Sequence, residues 1–235
     1  MQNTNIYAGY RYPSQIISHA VWLYHRFTLS LCDIEKLLAA WGITVSYETV
    51  RNWCDKFGQR YCSQIRKNGG QLCDSCFLYE VFININGVLH YLWRAVDQDG
   101  DEIDILVQKR KDKKAASRFF RKLLKSQQAV PIKIVTHKLR NYSATKIELI
   151  PGVEHSTKHY ENNRCELSHQ PGWQQERQMR KCKSQGQAQR FLSCHGVINN
   201  LFRLGRHLMK ASNYRVFRDR AFVEWGRASY VQTLA

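Results

Sequence analysis

The sequence predicts an α/β protein in three parts: an N-terminal bundle of three helices, a mixed-sheet core, and a basic helical tail. Three observations carry that prediction. Residues 14–58 show helical spacing of apolar side chains punctuated by caps and glycines. The stretch CFLYEVFININGVLHYLWRAVDQDGDEID, residues 76–104, reads as three strands joined by turns at Asn86-Gly87 and Asp99-Gly100. An amphipathic helix and a further strand then follow it, as in an α/β sheet.

Taken in order, Ile16, Ile17, Ala20, Val21, Tyr24 and Phe27 share one face of a helix over 14–27. Thr28 or Ser30 caps a second helix, with Leu31, Ile34, Leu37, Leu38 and Trp41 as its stripe and Gly42 as its stop. Ser46 caps a third, YETVRNWCDKFG, ended by Gly58, with Val50, Trp53 and Phe57 inward. Two helices, a glycine turn and a helix form the pattern of a helix-turn-helix. Its recognition helix presents Tyr47, Glu48, Thr49, Arg51, Asn52 and Lys56 outward, and Arg and Asn suit guanine and adenine edges.

A break at Lys67-Asn68-Gly69-Gly70 marks a domain boundary. The meander is expected over 77–86, 88–96 and 103–109, with Asp97, Asp99, Asp101, Glu102 and Asp104 as a solvated hairpin tip. A calcium loop needs glycine at 102 and glutamate at 108, and neither is present. Residues 112–126 make an amphipathic helix, burying Ala115, Ala116, Phe119, Phe120, Leu123 and Leu124. Its other face carries Lys114, Arg118, Arg121, Lys122 and Lys125. A strand over 132–136 ends at His137, a helix is expected near 141–148, and a short strand near 153–154. Beyond Asn162 the chain reads as helical and basic, with apolar positions at Phe191, Leu192, Val197, Ile198, Leu201, Phe202 and Leu208. The organisation expected is therefore 1–62 helix-turn-helix, 63–76 linker, 77–184 core and 185–235 basic helical segment.

Composition narrows the function. The 235 residues carry a formal net charge of +17, with the largest excess in the last third, which favours a polyanionic partner and above all nucleic acid. No apolar run reaches the roughly 18 residues of a membrane span, and the N-terminus lacks the charged and apolar regions of a leader, so a cytoplasmic protein is expected. Eight cysteines in such a chain argue against a disulfide framework. Cys73 and Cys76 form a lone C-x2-C, and neither Cys54 with Cys62 nor Cys165 with His169 completes a zinc set at suitable spacing.

Four strings give these readings a family. GITVSYETVRNWCDKFG resembles a recognition-helix region, and EVFININGVLHYLWRAVDQDGDEIDILVQKRKDKKAASRFFRKLLK the first half of a catalytic core. NNRCELSHQ with ERQMRKCKS resembles the segment around a final catalytic acid, and FLSCHGVINNLFRLGRHLMKAS a tail. Together, from about Ser14 to Arg220, they resemble bacterial insertion-sequence transposases of the IS-six family. That resemblance implies a helix-turn-helix joined to an RNase H-like DDE (integrase-type) core. In such a core two aspartates and a glutamate hold two Mg²⁺ ions, which activate a hydroxyl and stabilise the phosphorus centre during cleavage and strand transfer. It also implies double-stranded DNA with terminal inverted repeats as partner, and a homodimer or higher assembly on nucleoid DNA. Arg177, Arg180, Lys181 and Lys183 join Tyr47, Thr49, Arg51, Asn52 and Lys56 as DNA-binding positions.

The resemblance fails at two catalytic positions. Tyr79 stands at the first aspartate and His137 at the second, leaving Glu166 as the retained acid and the one expected metal ligand. Glu80 falls on the opposite strand face, and Asp74 is too far upstream and of the wrong parity. Imidazole is a poor magnesium ligand, and a phenol is protonated at neutral pH. Cys76, Gly172-Trp173 and Cys182 depart from the family pattern as well. The expectation is a transposase-family DNA-binding protein impaired in catalysis, with an active transposase and a degraded copy as alternatives.

Overall fold

The computed structural model describes residues 5–27, 29–68, 74–127, 130–136, 150–158, 182–205 and 208–230. Among these are six helices and five strands, and the chain divides into two compact units, 1–69 with 197–235 and 70–196.

In the first unit, α1 spans Ser14–Arg26, α2 Leu31–Ala40 and α3 Tyr47–Asn68. A capping box starts α2: Asp33 N–H donates to Ser30 Oγ, and Ser30 N–H donates to Asp33 Oδ2. A Schellman closure ends it, with Ile43 N–H donating to Leu38 O, Gly42 N–H to Ala39 O, and Gly42 at φ 76°. Ile17, Ala20, Val21, Ile34, Leu38, Val50, Trp53 and Phe57 fill the interior.

Three expectations need correction here. Leu37 and Trp41 are 38% and 59% exposed, so the α2 stripe narrows to Ile34 and Leu38. Phe27 at the end of α1 is also exposed. Gly58 does not stop α3, which runs on to Asn68 through the stretch expected to begin a linker. A helix-interior glycine costs only about 1 kcal/mol relative to alanine. Against that, the next turn buries Tyr61 completely, between Phe57 and the Trp225 ring. Tyr7 joins this cluster through its hydroxyl, 2.5 Å from those of Tyr61 and from the Ser229 carbonyl oxygen. Trp225 and Ser229 belong to or border the last helix, α6, Ala211–Ala228.

The second unit holds the sheet. Its strands are β1 (Ser75–Ile85), β2 (Val88–Val96), β3 (Glu102–Gln108), β4 (Lys133–Thr136) and β5 (Glu154–Ser156). They lie in the order β3-β2-β1-β4-β5, with β1 to β3 an antiparallel meander and β4 and β5 parallel to β1. This is the arrangement of an RNase H-like core. Asn86 (φ 51°) and Gly87 (φ 80°) make the two-residue turn between Ile85 and Val88. The second turn is longer than the first. Asp97 and Asp101 pair through the backbone, and Gly100 at φ 80° closes a three-residue loop.

One face of the sheet packs on α4, Lys113–Gln127, which Asp112 caps by accepting from Ala115 N–H. Leu78, Trp93, Ala95, Phe119, Phe120, Leu123 and Ile134 form the centre of that core. Helix α5, Gln185–Phe202, covers the outer edge of β3. Gln189 accepts from Val107 N–H and donates to Ile105 O, and Gln185 donates to Val107 O. The division between the two units falls within α5. This helix stops at Phe202, and Leu208, expected among the apolar helical positions, is 80% exposed. Cys76 is disulfide-bonded, so not every cysteine is a separate thiol; its partner lies outside the described residues. The expected helix near 141–148 also falls there.

Candidate functional site

Alternation along β1 sends Cys76 and Leu78 to the α4 face and Phe77, Tyr79 and Val81 to the other. Tyr79, only 2% exposed, packs in an apolar cluster with Phe77, Val96 and Val135. Arg94 is its cross-strand partner on β2, and the guanidinium carbon sits 5.3 Å from the centre of the Tyr79 ring. Arg94 is in turn held by Glu102 at 2.7 Å, with both side chains nearly buried. Gly196 on α5 makes room for that carboxylate: a Cβ there would lie 1.9 Å from Glu102 Oε1. The position of the first expected metal ligand is thus an aromatic ring, roofed by a cation whose charge is already neutralised.

The second expected position, His137, follows β4 directly in the sequence. The parallel register of β1 with β4 runs from Ser75↔Lys133 to Leu78↔Thr136, the residues immediately before Tyr79 and His137. Thr136 is buried, with its hydroxyl 2.8 Å from His155 Nε2 on β5. His137 itself, Glu166, Arg177, Arg180 and Lys181 lie outside the described residues. Among the described residues, no group of three or more His, Cys, Asp or Glu side chains is arranged to hold a metal ion. What is described does not fit a two-magnesium site. Tyr79 supplies no carboxylate, and Glu102 is already paired with Arg94.

Sequence reasoning misread the acidic cluster at the second turn. Asp97 is buried and accepts from Asp99 N–H and Asp101 N–H, which holds the loop closed. Asp104 is buried too, paired with Lys122 at 2.6 Å, and Lys122 also donates to the Ile105 carbonyl. Lys122 therefore leaves the solvated basic face assigned to it. Glu102 and Asp104 lie within β3, and a bulge opposite Ala95 and Val96 turns them to opposite faces, where each is buried or nearly so only because a cation pairs with it. Glu80 lies on the α4 side, as its parity requires, with Lys111 3.5 Å away.

The second candidate surface is the exposed side of α3. Val50, Trp53, Cys54 and Phe57 face inward; Tyr47, Glu48, Asn52 and Lys56 are exposed, and Thr49 and Arg51 half-buried. Ser46 begins the helix, accepting from Thr49 N–H. Arg51 pairs with Glu48 at 2.7 Å and lies over the Tyr47 ring. An exposed pair of this kind is worth well under about 1 kcal/mol, so the guanidinium is easily released to another acceptor. Lys56 rests on the Tyr10 ring, 4.7 Å from its centre. Lys183, ahead of α5, is exposed.

Three rings of the helical unit, those of Tyr7, Tyr61 and His19, have shifted pKa values. Burial pushes the Tyr7 phenol up to about 12 and raises that of Tyr61 further. Burial also lowers the His19 imidazole, whose Nε2 has no hydrogen-bond partner beneath Trp22 and Trp41.

With this geometry in view, comparison with known proteins gives a consistent result. A family model described as a DDE domain matches residues 73–204, more than half of the chain. The transposase for insertion sequence-like element IS431mec of Staphylococcus aureus is 28% identical over 170 residues, 70% of this chain and 75% of that protein. The S. aureus transposase for insertion sequence element IS257 in transposon Tn4003 matches with the same identity and coverage. Among solved structures, the Mos1 transposase catalytic domain with raltegravir and Mg aligns at a TM-score of 0.34 and 12% identity, covering 77% of this chain and 98% of that one. A simian T-cell lymphotropic virus intasome in complex with a PP2A regulatory subunit aligns at 0.34 and 13%, covering 93% and 70%. Overlaps that low add nothing to the assignment.

Proposed function

For a chain that belongs to the DDE-domain family of insertion-sequence transposases of the IS-six type, we propose DNA recognition at terminal inverted repeats without efficient strand cleavage. The observation that carries the loss of cleavage is the environment of Tyr79. A two-metal phosphoryl-transfer site needs hard oxygen ligands that converge from different elements. At the first of those positions the chain has a phenol packed among Phe77, Val96 and Val135 and roofed by Arg94. A carboxylate on that face, Glu102, is paired with Arg94. Mg²⁺ is the ion such a family site takes, and among the described residues no carboxylate stands at the Tyr79 position to hold it.

Recognition is assigned to α3. Arg51 and Asn52 are the side chains suited to base edges, Thr49 and Tyr47 to phosphate or apolar groove contacts, and Lys56 to the backbone. The basic positions Arg177, Arg180, Lys181 and Lys183 extend the contact along DNA, and the chain acts as a homodimer or higher assembly that pairs two ends.

The test is a strand-transfer assay with Mg²⁺ or Mn²⁺ on a duplex carrying the element's end. The native chain gives no product, whereas the Tyr79→Asp, His137→Asp double variant gives product that Glu166→Gln abolishes. Product from the native chain that depends on Glu166 overturns the proposal and favours an active transposase. Binding of repeat and random duplexes with equal affinity at physiological salt overturns the recognition half.

A further inference from the structure

Where β3 hands over to α4, the sheet unit forms an open cavity of about 460 Å³ lined by Lys109, Arg110, Lys114 and Arg118, with Asp112 and Gln185 among the remaining walls. Four cations face one carboxylate, and that carboxylate is occupied: Asp112 Oδ1 accepts from Ala115 N–H at 2.8 Å as the cap of α4. Arg118 is steered by a 3.0 Å hydrogen bond to Gln108, and all four cationic side chains are exposed. Lys109, Arg110 and Lys114 make no ion pair among the described residues, unlike their neighbour Lys111, which pairs with Glu80. The positive end of α4 opens into the same space. Nothing in this chemistry suits a metal or an apolar ligand; it suits phosphate oxygens.

We infer that this cavity binds the phosphodiester backbone of duplex DNA, independently of sequence and separately from α3. A single free phosphate needs fewer donors than four long cationic side chains supply, and the run KRKDKK extends the charge along the surface as a strand of phosphates would use it. The inference rests on the DNA-binding reading above and adds a further contact region, at the junction of β3 and α4.

The test uses the full chain and a short random-sequence duplex, titrated over a range of salt concentrations. In the Lys109→Gln, Lys114→Gln, Arg118→Gln triple variant, affinity at low salt is expected to fall at least tenfold. The slope of log K against log salt is expected to fall by about 2–3, near 0.9 for each phosphate that is no longer neutralised. Arg215→Gln, Arg218→Gln, Arg220→Gln on α6 removes the same charge elsewhere and is expected to change the slope much less. An equal loss in both variants, or an unchanged slope in the first, overturns the inference. Pyrophosphate binding that the first variant loses while duplex binding stays intact assigns the cavity to a free anion and overturns it too. The substitutions are at exposed positions, and an unchanged thermal melt verifies folding; a variant that melts early is replaced by the single Lys114→Gln and Arg118→Gln changes, each expected to lower the slope by about 1. An Arg51→Ala, Asn52→Ala variant keeps the slope and loses discrimination between repeat and random DNA. If the native chain never discriminates yet the cavity variant still loses slope, repeat recognition falls and the cavity's role in backbone binding stands.

Discussion

The two faces of the central sheet have been treated differently. Toward α4 lies a continuous apolar core, with Trp93 and Phe119 6.0 Å apart between ring centres and charged pairs, Asp104 with Lys122 and Glu80 with Lys111, near it. Toward the other side lies a small cluster of Phe77, Tyr79, Val96 and Val135, next to the buried Arg94–Glu102 pair. The first face is built to hold the sheet together. On the second, the position expected for the first metal ligand is filled by a ring. The first face carries the packing that stabilises the sheet, while the second carries a ring where the family resemblance leads one to expect a carboxylate.

The difference can be probed by mutation. The largest effect is expected on the α4 face, where Phe119→Ala removes a fully buried ring and costs about 3–5 kcal/mol in urea unfolding. A cost below about 1 kcal/mol would mean that this face is not the stabilising one. On the opposite face, Arg94→Met takes the paired cation from the nearly buried Glu102 carboxylate, a loss of about 3 kcal/mol that the Arg94→Met, Glu102→Gln double variant largely restores. Failure of the second change to rescue would mean that Arg94 acts through packing on Tyr79 rather than through charge.

The smallest effect separates the sheet from the helical unit. The folded Tyr7 phenol titrates near 12, above its ordinary 10, and that of Tyr61 is raised as well, both chiefly by burial. Between those limits the unfolded chain loses protons that the folded one keeps. The stability these phenols contribute is whole below pH 10 and falls as pH rises toward 12. Tyr61→Phe is expected to flatten that alkaline decline in thermal melts while lowering stability at neutral pH only modestly. An unaltered decline would remove Tyr61 from its cause.

Much of this was legible in the sequence because local signals agreed with the fold. Asn86-Gly87 marked a turn, Thr28 or Ser30 a helix start that the structure gives to Ser30, and strand parity put Tyr79 and Glu80 on opposite faces. What could not be read depended on partners far along the chain. Gly58 looked like a stop because the burial of Tyr61, against Tyr7 and Trp225, is not a local property. The acids after Ala95 looked solvated because Arg94 and Lys122, which neutralise two of them, come from a neighbouring strand and a helix. The cavity beside α4 escaped for the same reason: Gln108 and Gln185, which help wall it, lie on separate elements. Tyr79 stands out as the position of an expected ligand only through the family resemblance, since as pattern alone it is an ordinary strand aromatic.

The two glutamines of α5 have a consequence for assembly. An outer strand normally offers its free amides and carbonyls as a template on which another chain can continue the sheet. Here Gln185 and Gln189 occupy the backbone groups of Ile105 and Val107, so side chains of a helix take the place of a sixth strand. A second copy arriving at β3 finds those groups already satisfied. Pairing of two chains is thereby steered away from that rim of the sheet, and aggregation by strand exchange is closed off there by two amide side chains one helical turn apart.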